Sequence, residues 1–239
     1  VENLHEVGKR KVPSVRRAIE PDLIYPLCRG RDVKRWSSCP QAYVLVTQDP
    51  DTRMAYDEPQ MRTRLTQTYL FLQEFRKELR LRRSSSVRTL MEKSAFYAMF
   101  GVADYTFSKY KVSWAELGNS IEACVLSPLE RTVVPDHTVV SVHTDDLDEA
   151  HYVCGVLNSA PVDLTIRGYV VMHPSPHVLQ HLRVPKYEPG NAVHRKLSSL
   201  SQRAHELTAK LRALPAPADA QRSTRWRKQL DEVESEVDQ

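Results

Sequence analysis

From Ala42 to Thr47 the chain reads AYVLVT, a short apolar run rich in β-branched residues, bounded by Pro40 and by the turn-forming DPDT of Asp49 to Thr52. This pattern predicts a buried strand. Between Asp57 and Arg83 the period changes: Met61, Leu65, Tyr69, Leu72, Phe75 and Leu79 recur at steps of three and four, with Pro59 suited to a first turn. One long amphipathic helix is expected. Its far end is basic (Arg76, Lys77, Arg80, Arg82, Arg83) and is expected to run into a loop, Ser84-Ser85-Ser86 followed by Arg88. Aromatic residues crowd the next stretch, where Phe96, Tyr97, Phe100, Tyr105, Phe107, Tyr110 and Trp114 interleave with Lys109 and Lys111. Most of these rings belong in a core.

Short strands are predicted at Ala123 to Leu126, Thr132 to Val134 and Val139 to His143. A helix capped by Thr144 or Asp145 should follow, with Asp146, Asp148 and Glu149 in its first turn and an end near Asn158-Ser159. Beyond it, a strand is expected at Gly168 to Met172, then the proline-broken PSPHVLQHL, then a short strand ending at Pro185. The last fifty or so residues differ: Val193, Leu197, Leu200, Leu207, Leu211 and Leu214 punctuate a polar helix, followed by PAPADA and a second polar helix from about Arg222. The fold class is therefore α+β, a mixed short-stranded sheet domain with intervening helices, followed by a C-terminal helical hairpin or arm. The corresponding divisions are a lead-in or linker over 1–20, one domain over 21–188 and a helical tail over 189–239.

A chain of 239 residues with 41% hydrophobic content can bury a substantial core. The formal net charge of +4 is too small to indicate a partner by itself, so the placement of the charges decides. No run of about 18 apolar residues is present, and the VENLHEVGKRK start carries charges where a signal peptide needs an apolar segment. Neither membrane insertion nor secretion is indicated. Cys28, Cys39, Cys124 and Cys154 form no CxxC pair and suit packing in a reduced, cytoplasmic setting. His173, His177 and His181 are spaced by four, but Pro174 and Pro176 break the helical face that a metal site would need.

The densest cation cluster is LCRGRDVKRW, Leu27 to Trp36. Arg29, Arg31, Lys34 and Arg35 offer donors for phosphate or a guanine edge, Gly30 permits close approach of the main chain, and Trp36 offers a flat apolar face. The same residues also describe a solvated turn after a strand. Arg82, Arg83 and Arg88, beside three serines, repeat the chemistry of phosphate contacts, and Tyr105, Lys109 and Lys111 are candidates to face a ligand. Seven glycines include no GxG, and there is no P-loop, GxSxG or HExxH. Asp145, Asp146, Asp148 and Glu149 lie where a helix N-terminus favours acids. No cofactor site, metal site or catalytic constellation is expected in this chain.

Four segments, in order, carry a resemblance: LIYPLCRGRDVKRW (Leu23 to Trp36), FYAMFGVADYTFSKYKVSW (Phe96 to Trp114), DEAHYVCGVLNS (Asp148 to Ser159) and HVLQHLRVPKY (His177 to Tyr187). Together they resemble the TaqI-like C-terminal specificity domain of DNA adenine methyltransferases and of fused restriction-modification enzymes used in phage defence. The resemblance implies a target-recognition domain that binds double-stranded DNA. It also implies a partner, a Rossmann-like catalytic domain fused upstream or in a separate chain, which binds S-adenosylmethionine and methylates a flipped adenine through an Asn-Pro-Pro-Tyr motif. This chain has neither that motif nor the cofactor glycines, so recognition without methyl transfer is the expectation. Arg29, Arg31, Lys34 and Arg35 fall in the basic segment that opens the specificity region, and Lys109 and Lys111 in the lysine-aromatic strand. The alternative is a docking subunit for a catalytic partner, with an incidental basic surface. A nuclease with unrecognised metal carboxylates is a third reading.

Overall fold

The computed structural model describes residues 1–4, 11–169, 174–214 and 220–239. The chain forms two compact units, one of 1–25 with 44–106, the other of 26–43 with 107–239. The division falls within β1 (Ile24–Cys28) and β4 (Ala42–Leu45) and does not coincide with boundaries at 20 and 188. The strand predicted over Ala42 to Thr47 is present as β4, with Val46 and Thr47 buried just beyond it.

In the first unit, the start of the chain is tied down rather than loose. Arg17 N–H donates to Val1 O at 3.0 Å and Val15 N–H to the Asn3 side-chain oxygen at 2.7 Å. The single long helix expected from Asp57 to Arg83 is instead three short ones, α1 (Glu58–Arg64), α2 (Thr66–Glu74) and α3 (Arg76–Arg80). The first break is at Leu65 (φ −132°, ψ 53°), where the Glu20 carboxylate accepts from Gln67 N–H, Thr68 N–H and the Thr68 hydroxyl at 2.7–3.0 Å. A side chain remote in sequence thus caps α2 and separates it from α1. Burial alone would raise the Glu20 carboxyl pKa, but the bonds from Thr68 and Gln67 outweigh it and hold the group at about 2. The second break is at Phe75 (φ −106°, ψ 13°). The serine-rich stretch is also helical: Ser84 caps α4 (Ser85–Lys93), its hydroxyl accepting from Val87 N–H. Met61, Tyr69, Leu72, Phe96 and Tyr97 form the core, with the Tyr69, Phe96 and Tyr97 rings edge to face.

The second unit is built on β5 (Tyr110–Ala115), flanked antiparallel by β6 (Cys124–Leu126) and β8 (Val139–Thr144). Directly paired residues share a face, so Val112, Val125 and Val142 lie on one side and Lys111, Leu126, Ser113 and Cys124 on the other. Both faces are covered, and β5 is accordingly buried from Lys111 to Trp114. The first face meets α5 (Leu147–Leu157), α6 (Ala160–Tyr169), α7 (Ala192–Ala213) and α8 (Ala220–Val237), through Ala150, Cys154, Leu157, Ile166, Ala204 and Val237. The second meets Cys28 of β1, Val33 of β2 (Val33–Lys34), and Val133, which precedes β7 (Val134–Pro135). β7 runs parallel to β1, Leu27 opposite Val134. Asp146 rather than Thr144 or Asp145 caps α5, accepting from Asp148 and Glu149 N–H. Gly168 and Tyr169, where a strand is expected to begin, end α6 instead, and the rest of that stretch lies outside the described residues. Nor does a strand lead to Pro185. The helical pair is present, packed as a hairpin of α7 and α8, and it is part of this unit's core.

Candidate nucleic-acid interface

The segment Leu27 to Trp36 closes over the second face of the sheet. Cys28 and Val33 are buried against Cys124 and Leu126, and a 3-10 turn, Gly30–Asp32, bridges them. The turn is fixed at several points. Arg29 N–H donates to the Asp32 carboxylate at 2.9 Å, Cys39 N–H to Asp32 O at 2.9 Å, and Gly30 N–H to the Thr138 hydroxyl at 2.8 Å. A Cβ on residue 30 would stand 2.7 Å from Thr138 O, so glycine is required there for protein packing. The close approach expected toward a phosphate is made toward Thr138.

β2 and β3 (Ser37–Ser38) then form a two-residue hairpin whose turn is Arg35-Trp36. Trp36 has φ 61°, a left-handed conformation costing roughly 1–2 kcal/mol in a residue with a Cβ. Burial of the indole offsets it: the side chain is 1% exposed, its N–H donates to Glu234 at 2.6 Å, its backbone N–H donates to Ala123 O, and its ring meets the His205 edge. Arg35 follows it inward. Its guanidinium donates to Asn158 O at 2.8 Å and lies 3.1 Å from Glu234. These two residues brace α8 and the end of α5; the flat face expected of Trp36 is not offered to a ligand. Outward, Arg31 and Lys34 are exposed, and Arg29 is half-buried. None of the three has an ion-pair partner among the described residues.

The lysine-aromatic strand divides in the same way. Lys109 is exposed, its ammonium 5.1 Å from the Tyr110 ring centre and its backbone N–H donating to Asp145. Lys111 is 1% exposed, on the sheet's second face, and donates to Ser108 O at 2.8 Å and to the Thr132 hydroxyl at 3.2 Å. Burial lowers its pKa to about 8, against the attraction of Asp145. It cannot face a ligand as expected. Gly30 lies by Thr138, at the Ala115 end of β5, whereas Lys109 precedes the Tyr110 end. At about 3.3 Å per residue, the length of β5 puts Gly30 and Lys109 roughly 17 Å apart along the strand.

In the first unit, Arg82 is bound by the protein itself. Its guanidinium donates to Leu79 O, Ala98 O and Phe96 O, each at 2.8 Å, and meets Met91 Sδ at 3.3 Å. Burial lowers its pKa. Arg83 and Arg88 are exposed without an ion pair among the described residues, and Tyr105 is 45% exposed. Phe100, which belongs to the aromatic segment assigned mainly to the core, is 66% exposed. Phe96, Tyr97 and Trp114 are in the core as expected. Reading the segment by aromatic density could not separate Phe100 from these; the positive φ of Gly101 (79°) next to it turns the chain outward.

Cys28, Cys124 and Cys154 are buried packing residues, with burial pushing the thiol pKa of Cys28 and of Cys154 up to about 12, while Cys39 is exposed. Among the described residues no cluster of three His, Cys, Asp or Glu side chains is placed to hold a metal ion, and no helix is long and apolar enough to cross a membrane. Of the histidine trio, His173 lies outside the described residues. The chain matches no protein-family model and no curated protein.

Proposed function

We propose that this chain is a sequence-specificity module for double-stranded DNA, working with an adenine-methylating catalytic domain that supplies S-adenosylmethionine binding and the chemistry. The supporting observation is the split within Leu27 to Trp36. Arg35 and Trp36 lock the hairpin to the helices, while Arg31, on a turn fixed by Gly30, Asp32 and Thr138, and Lys34, in β2, stand outward without ion-pair partners among the described residues. A rigidly mounted, unpaired cation is what phosphate contact needs, because little ordering entropy remains to be lost on binding. In this reading the chain does not itself transfer a methyl group or cut DNA, and it acts with its partner in a restriction-modification system.

The docking alternative draws on the helical tail. Leu230, Val233 and Val237 of α8 already pack on this unit's own core, and Glu234 is held by Arg35 and Trp36, which leaves the tail less to offer a partner. The test is fluorescence anisotropy with duplex DNA across a salt series. Arg31→Ala should weaken binding several-fold at low salt and reduce the slope of log affinity against log salt by about 0.9, with Lys34→Ala behaving likewise. Binding unchanged in both variants would exclude this surface from DNA contact.

A further inference from the structure

Phe100 is the most exposed aromatic residue of the first unit, and its loop is held rigidly. Met99 N–H donates to the side-chain oxygen of Gln48, itself 2% exposed, at 3.0 Å, and the Thr47 hydroxyl holds Tyr97 O. At the far end Thr106 closes a turn, its N–H donating to Ala103 O and its hydroxyl accepting from Ala103 N–H. Val102, Ala103 and Thr106 are buried between these ties, while Phe100, Gly101, Asp104 and Tyr105 face out. The Tyr105 hydroxyl donates back to Gly101 O at 2.7 Å, bracing the turn that exposes Phe100. The Asp104 carboxylate has no hydrogen-bond or ion-pair partner among the described residues, although its backbone opens the 3-10 turn Asp104–Phe107. The fold therefore fixes a large apolar ring in water on the same short loop as a carboxylate without a partner among the described residues, and the packing of those residues gives no reason for either.

The surroundings favour a polyanion over an apolar partner. Arg82 grips the approach to the loop through Phe96 O and Ala98 O, and the chain just after it carries Arg83, Arg88 and Lys93, all exposed. A planar ring and an acceptor on one rigid loop, in a unit that also carries exposed cations, fit a nucleobase: the ring takes a stacking contact, the carboxylate accepts from an exocyclic amino group such as that of cytosine, and the cations meet phosphates. We propose that the Phe100 to Tyr105 loop is a base-reading element, with Phe100 stacking on a base step and Asp104 selecting the base beside it. This rests on the DNA-binding reading above and adds where specificity resides.

The test separates the two. The whole chain is bound to a pool of short duplexes with a randomised centre, the bound fraction is enriched, and each protein is then measured on enriched and unselected pools at about 50 mM salt. Phe100→Ala should lose about tenfold or more on the enriched pool and little on the unselected one, with an unchanged salt slope, while Phe100→Trp retains preference. Asp104→Asn should change the sequence that enriches. Phe100 is exposed, so Phe100→Ala should melt with the wild type, and loss of affinity is not loss of fold. If Phe100→Ala binds the enriched pool as the wild type does, or loses equally on both pools, the base-reading role is wrong while DNA binding stands. If the wild-type chain binds neither pool, both are wrong.

Discussion

Two basic segments of similar composition, Leu27 to Trp36 and Arg82 to Arg88, invite the same reading, yet they bind their inward arginines differently. Arg35 meets a carboxylate and a helix-end carbonyl, reaching Glu234 on α8 and Asn158 at the end of α5. Arg82 meets carbonyl oxygens and a thioether, all close in sequence, and no carboxylate among the described residues. The first joins segments distant in the chain; the second stiffens one local corner. In both, the neighbours left facing water are the ones available for a polyanion: Arg31 and Lys34 in one, Arg83 and Arg88 in the other. Cation count in a segment thus overstates its binding capacity, because the carbonyl and carboxylate acceptors within reach claim some of the guanidinium groups first.

This contrast can be broken at several points. The largest effect should come from ending the chain after Tyr187. That removes Leu200, Ala204, Leu230, Val233 and Val237 from the core and Glu234 from Trp36, so the second unit should lose cooperative unfolding, seen as loss of near-ultraviolet circular dichroism. A truncated protein with native-like melting would mean that the tail is an accessory after all. Next, Arg82→Met should destabilise by about 2–3 kcal/mol, because three carbonyls lose a charged donor, whereas Arg83→Ala should change stability by less than about 0.5 kcal/mol. Equal denaturation midpoints for the two would remove the distinction between inward and outward cations.

The smallest effect is expected at Lys111. Its folded pKa, about 8, lies below the ordinary 10.5, so the unfolded chain binds more protons between those values. Burying the charged form opposes folding below pH 8, and that penalty is relieved as pH rises from 8 toward 10.5. Lys111→Met should therefore be neutral or stabilising near pH 7 and should flatten the pH dependence of the melting temperature over that window. The Thr132 hydroxyl donates to Ser108 O at 3.0 Å in any case, so the substitution leaves neither oxygen without a partner. A destabilised Met variant with an unaltered pH profile would show the ammonium to be a net contributor.

Much of the second unit was legible because its signals are local. β6 and β8 follow apolar runs bounded by turns, the acids at the start of α5 mark its N-terminus, and α7 and α8 carry the helical period on either side of a proline-rich stretch, whereas β5 lies in a segment marked only by its aromatic density. The first unit was less so. The unbroken period from Met61 to Leu79 conceals breaks at Leu65 and Phe75, and the cap of α2 comes from Glu20, which no window around the helix contains. The Ser84 hydroxyl, a group suited to a phosphate contact, caps α4 instead. Lys111 and Lys109 are two positions apart, which on an ordinary strand puts both on one face, but Lys109 precedes β5 and only Lys111 lies in it. Whether a cation faces in or out depends on which acceptors the remote chain brings near, as Arg35 and Asn158 illustrate.

The bond from the Trp36 indole to Glu234 has a consequence for exchanging segments of this unit between proteins. It ties the opening hairpin of the second unit to the last turns of its final helix, across nearly the whole length of that unit. A graft that carries the hairpin and sheet but takes its last helix from elsewhere would strand a buried indole N–H and leave a strained backbone without its anchor. Successful chimaeras should therefore take the hairpin and the last helix from one parent, and likewise residue 20 and the α2 that it caps, so that the two ends travel together as one inherited cassette.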